Sequence, residues 1–411
     1  MNRALQQYGV VTASYWGFTL TDGALRMLVV LYFHQLGYSP LAIASLFLFY
    51  ELFGIITNLL GGWLAARTGL NTTLHIGLGL QILALSMLLV DAELLSVAYV
   101  MAAQAISGIA KDLNKMSAKS SIKLLLPDDQ QGRLYRWVAI LTGSKNALKG
   151  AGYFLGGLLL ASVGFRGALA ILLGGLAIVC IASFVLLDRG QGKSTFKPKF
   201  RHLWSKSSAI NRLSAARFFL FGARDIWFVV ALPVFLQSEL GWSHTSVGIL
   251  LGVWIIGYGA IQSLSPLLTG IGKSGPNART LLRWSAPLCF IPIVLVVLLS
   301  NTSVDPASIL VSGLLIFGAF FAVNSAIHSY LIVARAQADG VSLDVGFYYM
   351  ANAGGRLCGT LLSGLLYQAH GLESCLLASS AFLIATSGLA FNLHGYEQGR
   401  LNPKVEAKSG L

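Results

Sequence analysis

Between residues 8 and 393 the chain is a succession of long apolar runs, each broken only briefly by polar residues, glycine or proline. Twelve runs can be read, near 8–34, 40–64, 72–90, 95–117, 134–161, 168–187, 211–236, 245–270, 284–300, 307–333, 345–369 and 374–393. About 20 apolar residues are what an α-helix needs to cross a bilayer core, and lipid leaves no other way to satisfy the backbone of a single segment. The expected fold is therefore an all-α membrane protein with twelve transmembrane helices. Composition agrees: 55% of residues are hydrophobic and 11% charged, against about 25% charged in a soluble domain. Disorder, which needs low hydrophobicity, is excluded as well.

The longest polar connection, DRGQGKSTFKPKFRHLWSKSSAI (188–210), divides the runs six and six. The layout read from this is an N-terminal bundle (1–187), a basic cytoplasmic linker (188–210), a C-terminal bundle (211–393) and a cytoplasmic tail (394–411). Twenty Lys and Arg fall in the termini and in the connections on the linker's side, and one, Arg166, in the connections opposite. Under the positive-inside rule this places both termini in the cytoplasm of a multi-pass inner-membrane protein. MNRALQQ leads directly into the first run, so that run is expected to stay as an anchor. The formal charge of +13 is membrane topology, because no basic soluble domain is present to bind nucleic acid. Four cysteines (Cys180, Cys289, Cys358, Cys375) lie scattered in apolar stretches without metal-ligand spacing, so they read as small core hydrophobes. No metal and no cofactor are expected.

The halves resemble each other. Asp22 lies fourteen residues before LGYS (36–39) in the first run, and Asp225 fifteen before LGWS (240–243) in the seventh. KGAGYFLGGLL (149–159) aligns without gaps to RLCGTLLSGLL (356–366), pairing Lys149 with Arg356, Gly152 with Gly359 and Gly157 with Gly364. Parallel repeats of this kind belong to carriers whose site lies near the midplane between the halves. The expectation is two pseudo-symmetric six-helix bundles.

Charges inside the runs single out that site. Arg26, Lys111, Lys115, Lys145, Lys149, Arg217, Arg224 and Arg356 are buried in apolar sequence with four acids, Asp22, Glu51, Asp112 and Asp225. Each central cation costs roughly 2.5–3.5 kcal/mol if it faces lipid, so the set must face counter-ions or a wet cavity. Lys111, Lys115 and Lys119 step by four along one helical stripe, and Lys145 and Lys149 repeat the step with Asn146 alongside. Like charges at that spacing repel, which points to an anion opposite. Lys119 is read as nearer to cytoplasmic snorkelling, and Arg217 as able to snorkel at the end of its run. Asp22 and Arg26, at i and i+4, form a structural ion pair or share Arg26 with ligand. Arg224 and Asp225 are adjacent, about 100° apart on a helix, so each is expected to find its partner on another helix. Glu51 pairs with a cavity lysine or carries a proton. Asn324 and His328, also at i and i+4, contact ligand or bond to neighbouring helices. Glycines 150, 152, 156 and 157 read as close-packing positions.

GGWLAARTG (61–69) is similar to the G-x-L-A-D-R-x-G signature of the major facilitator superfamily, with Ala66 in place of the Asp. GYFLGG (152–157) has some likeness to the G-P-x-x-G-G antiporter motif, with Tyr153 for Pro. Within that superfamily the chain resembles the ArsJ-type organoarsenical efflux permeases over TLTDGALRMLVVLYFHQLGYSP (19–40), SGIAKDLNKMSAKSSIKLL (107–125), LTGSKNALKG (141–150) and LFGARDIWFVVALPVF (220–235). The resemblance implies the superfamily fold and efflux of 1-arseno-3-phosphoglycerate in arsenate resistance. It also implies a functional link to glyceraldehyde-3-phosphate dehydrogenase, which makes that substrate from arsenate. By superfamily analogy runs 1, 4, 7 and 10 line the cavity. Arg26 and Arg224 would clamp one oxyanion end, and Lys111, Lys115, Lys145 and Lys149 the other, with Asn324 and Arg356 contributing. The alternative within the superfamily is an organophosphate/phosphate exchange carrier. An anion channel fits the repeated halves poorly, and no Ser-His-Asp set, metal spacing or nucleotide loop supports an enzyme.

Overall fold

In a computed structural model of the protein, the structure describes residues 3–38, 46–124, 129–188, 190–195, 207–270, 272, 274–301 and 304–401. Ser39 of the LGYS string, linker residues 189 and 196–206, Lys273 and the tail after 401 lie outside them. The described residues form α1 (Arg3–Gln35), α2 (Leu48–Thr68), α3 (Leu70–Met87), α4 (Val97–Ser121), α5 (Gln131–Leu186), α6 (Ser208–Phe228), α7 (Ala231–Ser238), α8 (His244–Leu268), α9 (Ala278–Asn301), α10 (Pro306–Arg335) and α11 (Val341–Leu401). Two of these are double spans. Both α5 and α11 run on past a break, at Gly164 (φ 71°) and Gly371 (φ 74°), a left-handed backbone that glycine adopts without a Cβ clash. Runs 5 and 6, and runs 11 and 12, are thus pairs of helices that meet directly at one non-helical glycine rather than across a longer loop. Run 7 is divided instead, into α6 and α7, at Val229 and Val230.

Caps mark several starts. Ser96 accepts from the Tyr99 N–H before α4, Ser243 from Ser246 at α8, and Asp305 from Ser308 ahead of Pro306 at α10. Eight helices among the described residues are long and apolar enough to cross a membrane. Two that fall short, α1 and α4, are those that turn Asp22, Arg26 and the lysine stripe inward. Large apolar side chains stand out from the bundle on the other side, including Phe154, Ile178, Val185, Leu267, Phe290 and Phe391. A surface of that kind suits lipid rather than water.

The twelve helical segments pack as two pseudo-symmetric bundles of six. In the first, α1 lies along α5, and α4 against α2 and α3; in the second, α6 lies along α11, and α9 and α8 pack on α10. The aligned glycines explain the closest seams. A Cβ on Gly152 would meet the Leu20 carbonyl at 2.6 Å, and one on Gly359 would meet the Gly222 carbonyl at 2.5 Å. Equivalent positions thus bring the fifth segment onto the first and the eleventh onto the seventh. Between bundles the same symmetry recurs, with α5 on α8 and α2 on α11. Gly143 packs against Gly259 in the first of these contacts, and Gly62 against Gly346 in the second.

Contacts across the bundles gather on the face that holds the linker. Lys123 donates to the Ala334 carbonyl (3.1 Å), Tyr330 to Gln131 (2.8 Å) and Ser342 to the Gly62 carbonyl (2.8 Å). The start of the linker lies across this face. Ser194 N–H bonds to the Ala66 carbonyl (2.8 Å) and Gln191 accepts from the Leu70 N–H (2.8 Å), both in the first bundle. Ser194 Oγ then reaches Asp339 of the second (2.7 Å), which also accepts from the N–H (3.0 Å) and hydroxyl of Thr195.

Candidate functional site

Between the bundles lies a cavity of ≈ 260 Å³. Its floor is at the linker face, where Lys119 and Arg217 are each 3% exposed. Higher up, the side chains of Glu51 and Arg356 are 36% and 38% exposed, so the cavity opens away from the linker.

The first bundle arranges its charges around one aromatic ring. Tyr50 of α2 donates its hydroxyl to both oxygens of Asp22 on α1 (2.8 and 3.0 Å). Lys111 of α4 stands over the face of the same ring, Nζ 3.8 Å from its centroid, and Arg26 of α1 lies 5.0 Å from it. The negative ring face attracts both cations, and the hydroxyl end holds the carboxylate. Arg26 does not pair with Asp22 among the described residues, although the two share a helix face; it reaches Glu51 instead (3.5 Å). Lys115 bonds Asp112 one turn back (2.6 Å).

In the second bundle the organising group is Asp225, fully buried on α6. One oxygen accepts from Arg224 Nε (2.6 Å) and the other from Arg356 Nε of α11 (3.1 Å). This corrects the expectation that residues 224 and 225 could not face each other. Arginine's long side chain folds back over the helix to reach its neighbour, so among the described residues Asp225 draws an ion-pair partner from another helix, while Arg224 meets only the Phe321 ring of α10 there (5.5 Å). Arg356 Nη1 lies 3.6 Å from Glu51 Oε2. Glu51 therefore joins Arg26 of one bundle to Arg356 of the other, and the cavity lysine Lys111 is near enough to act on its charge as well.

The remaining cations are differently placed. Lys145 and Lys149, one turn apart on α5, line the cavity and have no ion-pair partner among the described residues. Asn146 between them donates to Gln262 of α8 (2.7 Å), which donates in turn to Ser325 of α10 (3.1 Å). Below them, Lys119 donates to Thr142 (2.7 Å), while Arg217 is held by Asn352 (2.8 Å), Ser325 (3.0 Å) and the Phe221 ring (3.9 Å). Tyr349 of α11 carries Lys115 and Lys119 on its ring at 4.8 and 5.2 Å.

Of the residues singled out from sequence, Asp22, Arg26, Glu51, Lys111, Asp112, Lys115, Lys145, Asn146, Lys149, Arg224 and Arg356 meet at this one cavity. Asp225 stands directly behind it. Asn324 and His328 do not reach it: both are fully buried on α10, and their polar side-chain atoms have no hydrogen-bond partner among the described residues. Lys119 and Arg217, which position near a run end assigned to snorkelling, point inward instead. Tyr50, Tyr349, Asn352 and Gln262 were missed altogether, since in apolar sequence a lone aromatic or amide is indistinguishable from packing.

Nine cations and three acids line the cavity, with Asp225 behind as a fourth acid, so its environment favours an anion. Residues 11–341 match the sequence profile of the Major Facilitator Superfamily, and the chain belongs to that family. It is a membrane transporter with the superfamily's twelve-helix fold, not an enzyme. Solved structures of the same fold include the human organic anion transporter MFSD10 (TETRAN), 15% identical, with a TM-score of 0.72 over 95% of this chain and 100% of that one. A bacterial homologue of the iron transporter ferroportin in its outward-facing state is 12% identical, with a TM-score of 0.73 over 96% and 100%. A point variant of the E. coli fucose:proton symporter FucP is 12% identical, with a TM-score of 0.69 over 93% and 98%. No curated protein sequence matches the chain.

Proposed function

We propose that the chain exports a small organic polyanion, 1-arseno-3-phosphoglycerate, from the cytoplasm across the inner membrane by alternating access. The observation that carries this reading is the pair Lys145 and Lys149, facing the cavity with no carboxylate within ion-pair distance among the described residues. A structural pair of like charges one turn apart gains nothing from its neighbour; a polyanion lodged opposite removes the repulsion. The resemblance of the charged segments to ArsJ-type permeases supplies the particular substrate and the outward direction. It also places glyceraldehyde-3-phosphate dehydrogenase upstream, as the enzyme that forms the substrate in arsenate resistance.

Arg26, Arg224 and Arg356 then take one oxyanion end, guanidinium being suited to bidentate contact with phosphate-like groups. Lys111, Lys115, Lys145 and Lys149 take the other. Asp22, Glu51, Asp112 and Asp225 hold the cations when ligand is away, and whichever of them accepts a proton as ligand arrives couples transport to pH. Rocking of the two bundles about the cavity, with the linker in the cytoplasm, carries the anion through.

The test uses everted membrane vesicles supplied with the dehydrogenase, NAD+, glyceraldehyde 3-phosphate and arsenate, with and without a pH gradient. Arsenic and phosphorus are expected to accumulate together in vesicles that contain the protein. Accumulation no greater than in vesicles without it overturns the reading. Counterflow of phosphate against phosphoglycerate, with no arsenical uptake, would make the chain an organophosphate/phosphate exchange carrier.

A further inference from the structure

We infer that the floor of the cavity is a separate subsite for a phosphoryl-type dianion, built from Lys119 of the first bundle and Arg217 of the second. As a refinement of the proposed function, it rests on the polyanion reading and says which end of the ligand goes deepest.

Three observations place the subsite. Lys119 and Arg217 are each 3% exposed yet line the cavity, and they stand against neighbouring rings of one helix, Lys119 over Tyr349 (5.2 Å) and Arg217 over Tyr348 (5.4 Å). Neither has a carboxylate within ion-pair distance among the described residues, whereas Arg26, Lys115, Arg224 and Arg356 all do. Both are also held in place by neutral groups only. Thr142 takes one proton of Lys119, and Asn352 with Ser325 takes Nε and Nη1 of Arg217, while Nη2 makes no hydrogen bond to the described residues.

Two buried cations fixed by neutral acceptors are a preorganised site for two negative charges on one group. Desolvated charge of this kind is costly without a counter-charge, and the described residues place no carboxylate within ion-pair distance of either cation. A tetrahedral oxyanion of charge −2 matches the pair in sign and number. A guanidinium nitrogen and an ammonium can each donate to a different oxygen. A single carboxylate would neutralise only one of them. Because one cation belongs to each bundle, the bound dianion also ties the halves together at the closed face.

Inorganic phosphate is the probe, with binding to purified protein in nanodiscs measured by calorimetry. Wild type is expected to bind phosphate, and Lys119→Gln and Arg217→Gln to weaken it at least about tenfold, one charge-assisted contact each. Lys119→Arg is expected to retain it, and Arg166→Gln, on the surface far from the cavity, to leave it unchanged. Arg217→Lys serves if Arg217→Gln does not fold, and is expected to fall between wild type and Lys119→Gln. Absence of phosphate binding in wild type, or unaltered binding in Lys119→Gln and the folded Arg217 variant, overturns the subsite. A protein that binds phosphate through this pair but fails to take up the arsenical keeps the subsite and loses the proposed substrate.

Discussion

The mouth and the deep wall of the cavity use the same residue types in opposite ways. At the mouth, Arg26, Glu51, Arg356, Asp225 and Arg224 form a continuous chain of ion pairs that crosses from one bundle to the other. Along the wall and floor, Lys145, Lys149, Lys119 and Arg217 have no carboxylate within ion-pair distance among the described residues. A paired cation is stabilised whether or not a ligand is present. An unpaired one raises the energy of the empty protein and lowers that of the occupied one. The mouth is therefore expected to lock the bundles together and to yield its arginines to ligand only in exchange for its acids, and the wall to serve ligand alone.

The largest effect should come from the mouth's anchor. Asp225→Ala strands Arg224 in a buried place and releases the more exposed Arg356, and removing one partner of a buried pair costs about 3–5 kcal/mol. Thermal melting in detergent should show a large loss of stability. A variant that melts like wild type would mean that the mouth's pairs hold nothing together, and the contrast with the wall would disappear.

Next is the wall. Lys145→Gln combined with Lys149→Gln removes two charge-assisted contacts of about 1.5–3 kcal/mol each, so uptake of the arsenical should fall about 100-fold or more. Melting should hold or rise, because mutual repulsion is relieved. Vesicles of the double variant that transport as wild type would sink the polyanion site.

Glu51→Gln sharpens the contrast with a change of sign. Glu51 competes with an anion for Arg26 and Arg356. A unit charge about 10 Å away at an effective dielectric near 20 is worth about 1.5 kcal/mol, so phosphoglycerate should bind about tenfold more tightly to the variant. Weaker binding, as severe as that of the lysine variants, would show that Glu51 positions the site rather than guarding it.

The contrast was only partly legible in the sequence. Run lengths, the six-plus-six division and the glycines of the aligned segments depend on local composition and spacing, and these are properties a chain displays along its length. The lysine stripes were legible for the same reason, since i and i+4 share a face wherever the helix lies. Partner choice was not. Arg26 turns to Glu51 rather than Asp22 because Tyr50, from another helix, occupies Asp22. Arg217 and Lys119 lie close to run ends, where sequence alone favours snorkelling, and only the packing of α4 and α6 at the linker face turns them inward. Long-range pairing between helices leaves no trace in periodicity, so the identity of the paired and the unpaired set had to come from the fold.

The smallest expected effect lies outside the cavity, at the latch below its floor. In the related superfamily signature an Asp stands where this chain has Ala66; here the Ala66 carbonyl accepts from Ser194, and Ser194 and Thr195 reach Asp339 across the bundle boundary. Hydrogen bonds from Thr195 and then Ser194 hold the Asp339 carboxyl below its ordinary value of 3.8. A group with a depressed pKa in the folded state contributes stability above its unfolded value and loses it as pH falls through the lowered one. Asp339→Asn should therefore lower the melting temperature by about 1–2 °C, the scale of an exposed ionic contact in a chain of this size. That difference should stay constant from pH 5 to 8 and shrink only in acid below the ordinary aspartate range. A difference that grew or vanished between pH 6 and 8 would assign the latch to another titrating group, and separate it from the charges that distinguish mouth from wall.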